Sequence, residues 1–367
     1  MNTLYIHIPF CDQKCFYCSF VVSIGQGNRI DHYLDCLEKE AQYYHGEAIQ
    51  SIYIGGGTPT VITELQLQRL FQVVHKHFTF SSDIEWTIEA NPEGLNDSKL
   101  NLLKQEGINR ISLGIQSLND KYLKYLGRNH DASTATQAFD QMRKAGFDNI
   151  NVDLMFSFPK QTMTELKEDV AALTQLGSEH LSLYALTIEE NSKFFVQNIK
   201  LQDDHDQARH YQFVCDALKA KGFQQYEVSN FSKPTRESRH NLNYWQGGHY
   251  IGLGIGAHSH RGAKRSWNIS ELSEYILRLQ KGRSVEKGSE KLTSYDMMKE
   301  VVLFGLRMNR GVSIKQVTER FGCFLDDEQQ KKIDQFIEGG FFIKEEDTIK
   351  TSAKGRLVLD ELCAQLV

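Results

Sequence analysis

Proline is scarce in this chain, five residues in 367, and low-complexity tracts are missing, so the sequence reads as folded almost throughout. Nowhere do 18 apolar residues follow one another. The opening MNTLYIHIPF has no cationic segment and only a brief apolar run, so neither a membrane span nor a secretory leader is expected and the chain reads as soluble and cytoplasmic. Positive charge is also short: 42 Lys and Arg against 47 Asp and Glu leave −5, whereas a nucleic-acid partner calls for a concentrated basic face. Seven cysteines are too few and too uneven for a disulfide framework. Cys36, Cys215, Cys323 and Cys363 are scattered over helix-like segments and read as small apolar residues. The other three are crowded together.

What the chain does contain is a repeated unit. LLKQEGINRISLGI (102–115), QMRKAGFDNINVDLMF (141–156), ALTQLGSEHLSLYAL (172–186) and ALKAKGFQQYEVSNF (217–231) each join an amphipathic helix to an apolar strand. The join is a glycine, Gly107, Gly146, Gly177 or Gly222, suited to the left-handed position just past a helix. Earlier, LYIHI (4–8), SIYI (51–54) and IEWTIEA (84–90) read as strands, with helices near 29–46 and 63–78 between them. Six strands alternating with helices imply a parallel sheet, with YEVSNF (226–231) as a candidate seventh. Periodicity alone fits both a partial barrel and a doubly wound sheet. In either, ligands gather beyond the C-terminal strand ends.

Cys11, Cys15 and Cys18 form C-x3-C-x2-C directly after the first strand, at that same end. A structural zinc site wants four ligands, usually two distant C-x2-C pairs, and only one pair is present. A redox C-x-x-C leaves Cys11 unexplained. Three thiolates on an iron–sulfur cubane leave one iron without a protein ligand, and the spacing favours this reading. After the second strand, GGGTPT (55–60) lets backbone approach a ligand closely, with the carbonyls of Gly56 and Gly57 able to face an ammonium group. It lacks the third glycine of a dinucleotide fingerprint and the Lys of a phosphate loop. Glu89, Gln116, Arg128 and Asp153 follow, or end, later strands and form a polar ring with one topological address.

The stretch YIHIPFCDQKCFYCSF, with these strand-end motifs, resembles the radical S-adenosylmethionine (SAM) superfamily, in the branch that holds oxygen-independent coproporphyrinogen III oxidases and haem chaperones. The likeness spans nearly the whole chain. It implies a partial (β/α)6 TIM-like α/β barrel, a 4Fe-4S cluster on Cys11, Cys15 and Cys18, and SAM chelated at the open iron. By the same likeness Tyr5, Tyr17, Gly56, Gly57, Thr58, Glu89, Gln116, Arg128, Asp153 and Ala185 line the SAM site. Phe16 and Tyr17, wedged between thiols, would exclude water from the cluster.

Two features separate oxidase from chaperone within that branch. Oxidases resemble C-x3-C-x2-C-x-C, and here the last place is Phe20; they also carry a further N-terminal segment, whereas this motif begins at Cys11. RHNLNYWQGGHYIGLGIGAHSH (239–260) contains His240, Asn241, Tyr244 and Trp245 as H-N-x-x-Y-W, which resembles the haem-binding motif of the chaperones. An imidazole is a common axial ligand to haem iron, and Tyr and Trp offer flat faces to a porphyrin. His249, His258 and His260 are further candidates, and no C-x-x-C-H for covalent attachment occurs.

The expected organisation is a barrel core over 1–235, a connecting segment with the haem motif over 236–290, and a C-terminal domain over 291–367. That last region reads as a small α+β, winged-helix-like domain; with 12 basic and 13 acidic residues it lacks the charge of a DNA binder. The expected function is binding haem and passing it to acceptor proteins, with no catalytic residue assigned; a homodimer is one candidate assembly, and the residues do not fix the oligomeric state. The alternative is an oxygen-independent coproporphyrinogen III oxidase or another tetrapyrrole-modifying radical SAM enzyme.

Overall fold

A computed structural model of the chain describes residues 2–366. Strand β1 (Asn2–Ile8) is buried for most of its length, and the two-residue strands β2 (Phe10–Cys11) and β3 (Ser23–Ile24) pair in parallel to close the cysteine loop. Strands β4 (Glu47–Gly56), β5 (Phe78–Ala90), β6 (Arg110–Gln116), β7 (Ile150–Phe156) and β8 (His180–Ala185) then line up beside β1 in chain order, every neighbouring pair parallel. A doubly wound sheet would reverse its strand order part-way along. Six consecutive strands without a reversal make a partial barrel.

Helices α1 (Ile30–Ala41), α2 (Glu64–His77), α3 (Asp97–Gln105), α4 (Asp120–Leu126), α5 (Ala132–Lys144) and α6 (Met163–Gln175) connect them, and the single turn α7 (Lys193–Val196) and α8 (Asp204–Ala220) follow β8. Their starts are written locally. Thr63 and Thr162 each form a reciprocal capping box, with Gln66 and Glu165, and Asn96 and Asp131 accept from the exposed N–H groups of the first turn. Their stops follow the glycine signal: Gly107, Gly146, Gly177 and Gly222 have φ of +99°, +83°, +76° and +77°, the region L side chains avoid.

The chain beyond β8 departs from the barrel repeat. The two-residue strand β9 (Gln224–Gln225) and β10 (Asn230–Ser232) add to β8 in antiparallel fashion, so YEVSNF supplies no seventh parallel strand. No helix lies between β9 and β10 to carry the chain back to the starting end, as a parallel partner requires. Helix α9 (Arg239–Trp245) then returns the chain across the barrel, and β11 (His249–Leu253) pairs in parallel with the free edge of β1. The antiparallel strands β12 (His258–Arg261), β13 (Lys264–Asn268) and β14 (Glu286–Lys291) extend the sheet to twelve strands. The glycine-rich run 252–256 is the β11–β12 turn, and α10 (Leu272–Gln280) packs on α1.

A second core belongs to α11 (Ser294–Gly305), β15 (Val312–Ser313), α12 (Ile314–Phe321), α13 (Asp327–Glu338), β16 (Phe342–Glu345) and β17 (Thr348–Thr351). Helices α11, α12 and α13 with a three-stranded antiparallel sheet in the order β15-β17-β16 give the winged-helix-like form, and two short helices, α14 (Ala353–Arg356) and α15 (Leu359–Ala364), close the core with Leu359 and Leu362. Among the described residues no helix is long and apolar enough to cross a membrane.

Candidate functional site

The loop from Cys11 to Cys18 caps the C-terminal ends of β1 and β4. Gly57 N–H donates to Ile8 O (2.8 Å) and Thr58 N–H to Phe10 O (2.9 Å), which ties GGGTPT to the chain just before the first cysteine. Gln13 donates to Gly127 O (2.6 Å) and Phe16 N–H to Leu126 O (2.9 Å), which ties the loop's middle to the end of α4. A Cβ on Gly127 would stand 2.8 Å from the Phe16 ring, so the glycine both permits φ +71° and admits that ring.

All three thiols face one cavity. Among the described residues no three His, Cys, Asp or Glu side chains converge tightly enough for a single ion, although the three thiols line the same cavity. A polar relay joins two of them. Arg128 Nη1 donates to Cys15 Sγ (3.4 Å), and its Nη2 donates to Asn91 Oδ1 (2.9 Å) and Gly114 O (2.7 Å). Asn91 Nδ2 donates to Thr58 Oγ1 (3.1 Å), which frees the Thr58 hydroxyl proton for Cys11 Sγ at 3.5 Å. Burial pushes the Cys11 thiol up to about 11 and raises that of Cys18. Donors aimed at the sulfurs oppose that penalty, and a bound cation would reverse it.

The residues expected at a SAM site fall on one connected chamber. Tyr17, Gly56, Gly57, Thr58, Glu89, Gln116, Arg128 and Asp153 line the cysteine cavity itself. Tyr5 lines an adjoining cavity that shares Gly56 and Glu89 with it, and Ala185 a third that shares Glu89, Gln116 and Asp153. Three glycines are needed here because neighbours press in: a Cβ on Gly56 would lie 2.7 Å from the His7 ring, and one on Gly57 2.6 Å from Phe10 O and 2.9 Å from Cys11 Sγ. Gln116 ends β6 at φ +74°, unusual for a side chain, where a bulge in the β6–β7 pairing turns it toward the cavity.

The acids of this chamber are buried. Glu89 accepts from Tyr53 Oη (2.8 Å) and Gly56 N–H (3.1 Å), yet burial still moves its carboxyl up to about 7. Burial likewise raises Asp153, against donors Asn151 Nδ2 (2.7 Å) and Ser112 Oγ (3.3 Å). Tyr5 Oη donates to His7 Nδ1 (2.9 Å), since His7 Nε2–H must donate to Val21 O (2.8 Å). Asn91 and Ser112 are site residues the sequence reasoning passed over. Asn91 stood two places after Glu89 in the stretch EANPEG, but nothing local marked it.

The H-N-x-x-Y-W residues do not share one cavity. His240 is 1 % exposed and lies under the chamber, its Nδ1 3.0 Å from Ser51 Oγ and its Nε2 3.1 Å from Tyr244 Oη. Burial, aided by the Arg110 charge, lowers it to about 3, so the ring is neutral. Tyr244 lines both the Tyr5 cavity and a separate one under the C-terminal domain, whereas Trp245 lines that second cavity and a further one beside Gly305 and Val312. Of the four scattered cysteines Cys36 is buried; Cys215, Cys323 and Cys363 are partly so.

Comparison with known proteins gives two family matches: residues 5–173 to the radical SAM superfamily and residues 292–358 to the HemN C-terminal domain. The chain is 34% identical over 371 residues to the heme chaperone HemW of Bacillus subtilis, which covers 99% of this chain and 98% of that one. It is 38% identical over 261 residues to the heme chaperone HemW of Escherichia coli, 70% of this chain and 69% of the relative. Among solved structures, the coproporphyrinogen III oxidase HemN of Escherichia coli, a radical SAM enzyme, superposes with a TM-score of 0.88 at 25% identity, over 100% of this chain and 89% of that one.

Proposed function

Because this chain belongs to the HemW family of radical SAM proteins, we propose that it binds haem and hands it to acceptor proteins, with a 4Fe-4S cluster on Cys11, Cys15 and Cys18 and SAM beside it. The site suits the cluster: three thiols line one cavity, Thr58 and Arg128 donate to two of them, and Gly57 keeps open a space that a Cβ would fill. Bound there, the cluster would supply an iron with an open coordination position and a one-electron couple. The chain's own residues do the holding. Gly56 and Gly57 let backbone approach the ligand, Glu89 and Asp153 accept from hydroxyl or ammonium donors, and Arg128 offsets thiolate charge.

What most supports a carrier over an oxidase is the pairing of end-to-end HemW likeness with Phe20 at the place where the oxidase pattern has a fourth cysteine. Phe20 is 67 % exposed and lines the chamber mouth, where it offers a flat apolar face and no ligand. The test is to reconstitute the cluster without oxygen, titrate haem through its Soret band, and assay decarboxylation of coproporphyrinogen III with 5′-deoxyadenosine release. Stoichiometric haem uptake and its transfer to an apo-acceptor, without decarboxylation, is the expected result. Turnover of coproporphyrinogen III would overturn the reading.

A further inference from the structure

The inner faces of the barrel strands are polar. On β6, β7 and β8 the outward residues Ile111, Leu113, Val152, Leu154, Leu181 and Leu183 are buried in the main apolar core. Their inward neighbours Arg110, Ser112, Asn151, Asp153, Ser182 and Tyr184 line a cavity of about 530 Å³, the one that Ala185 also borders. A barrel of parallel strands normally fills its lumen with layers of Val, Ile and Leu. Here polar side chains leave the lumen open, at a volume within the range of about 300–1,000 Å³ that small-molecule sites occupy.

Arg110 is the unpaired group in this lumen. It begins β6, is 2 % exposed, and forms no ion pair among the described residues. Its one hydrogen bond there runs from Nη1 to Thr87 Oγ1 at 3.5 Å, and Nε is buried with no partner. Nη2 bonds to nothing either, yet unlike Nε it keeps accessible surface, on the cavity that Arg110 lines. The carboxylates nearby are engaged elsewhere: Asp153 accepts from Asn151 and Ser112, and Glu89 from Tyr53 and Gly56. An arginine stays charged at any depth, and a buried charge without a partner is costly, so this one is placed for an anion.

The planar fork of a guanidinium matches a carboxylate. One guanidinium balances one negative charge, whereas a dianionic phosphate would meet repulsion from Glu89 and Asp153 on the same walls. Arg110 stands at the start of its strand, and Cys18, which lines the same cavity, lies beyond the C-terminal strand ends, so the space runs along the barrel axis toward the cysteine loop. We propose that the lumen is a second small-molecule site, for an organic acid whose carboxylate sits on Arg110 and whose remainder extends toward Cys18. The proposal goes beyond the carrier reading, since none of its supports concerns haem.

The experiment uses the full, cluster-loaded chain without oxygen and acetate as the probe, followed by saturation-transfer nuclear magnetic resonance with and without saturating SAM. Saturable acetate binding is expected in both conditions, and inorganic phosphate at matched ionic strength should not displace it. Arg110→Met should weaken acetate binding about tenfold or more, with iron content and SAM affinity at their parental values. Because the guanidinium has no partner within the chain, Arg110→Met in acetate-free buffer should unfold in urea at the parental midpoint or above it. A lower midpoint would show that the guanidinium serves the fold and would overturn the proposal. Equal acetate affinity in the variant, displacement by SAM or phosphate, or no saturable binding by the parent would overturn it too. Haem uptake is measured separately, so each of these failures leaves the carrier reading standing.

Discussion

Arg128 and Cys15, 113 residues apart in sequence, meet at 3.4 Å, with the guanidinium of the first donating to the sulfur of the second. The contact exists because Gly127 ends α4 in the left-handed region and Asn91 and Gly114 hold the other guanidinium nitrogen. A hydrogen bond from a fixed cation lowers the cost of thiolate charge in a buried wall. Replacing Arg128 by Met keeps most of the volume and removes the donor. We expect cluster retention to fall about 10–100-fold, the range for groups that orient metal ligands. Iron and sulfide per chain after anaerobic gel filtration is the measurement, and an unchanged ratio would refute it.

Asn91 is the middle of the relay from Arg128 to Thr58. Asn91→Ala leaves both neighbours short of a partner in a partly buried setting, an expected loss of about 1–3 kcal/mol in urea unfolding. Because Thr58 and Asn91 share one hydrogen bond (3.1 Å), the double variant with Thr58→Val should fall short of the sum of the singles. Strict additivity would show that the relay is not coupled.

Gly57 has no room for a methyl group. A Cβ there meets Phe10 O at 2.6 Å and Cys11 Sγ at 2.9 Å, and the first is backbone held by the Thr58 N–H, so it cannot swing aside. Gly57→Ala should destabilise the chain by about 1–3 kcal/mol and release iron as well. Thermal unfolding at the parental midpoint with full iron content would contradict this.

Glu40 lies on α1, away from the chamber, with its carboxylate enclosed by Tyr275 Oη (2.6 Å), Gly254 N–H (2.9 Å) and Asn268 Nδ2 (2.5 Å). Burial outweighs these donors and lifts its carboxyl from 4.5 to about 7. A folded-state pKa above the unfolded one means the protonated form is favoured on folding. The stabilisation is therefore complete below pH 4.5 and is lost as pH rises toward 7. Its slope is at most about 1.4 kcal/mol per pH unit. Glu40→Gln cannot ionise, so urea unfolding at pH 5 and at pH 7.5 should show a smaller fall in stability for the variant than for the parent. Equal falls would remove Glu40 as the cause.

Much of the fold could be read from neighbouring residues alone. The helix stops at Gly107, Gly146, Gly177 and Gly222 are local events, a left-handed residue after an amphipathic stretch, and each is present. The sheet extension could not be read in that way. HYIGL (249–253) became a strand by pairing with the free edge of β1, a partner almost 250 residues away, and β12 to β14 were recruited to cover the edge that β11 then exposed. The candidate seventh strand misled for the related reason that apolar composition does not encode direction: YEVSNF ends in a strand, but an antiparallel one.

The sequence by itself marked the candidate residues and, for the thiols, the glycine run, Glu89 and Gln116, their address at strand ends; Asp153 instead sits mid-way along β7 and Arg128 follows the end of α4, and only the fold brings both to the same cavity. Such signals are local, set by side-chain chemistry and by backbone angles that few residues adopt. Only the tertiary structure decided which groups meet. It alone joined Arg128 to Cys15 through the α4 cap, and it alone turned His240 and Trp245, five residues apart on one short helix, toward different cavities. Contacts of that kind depend on how whole layers pack, and no spacing along the chain specifies the surface a helix face will find.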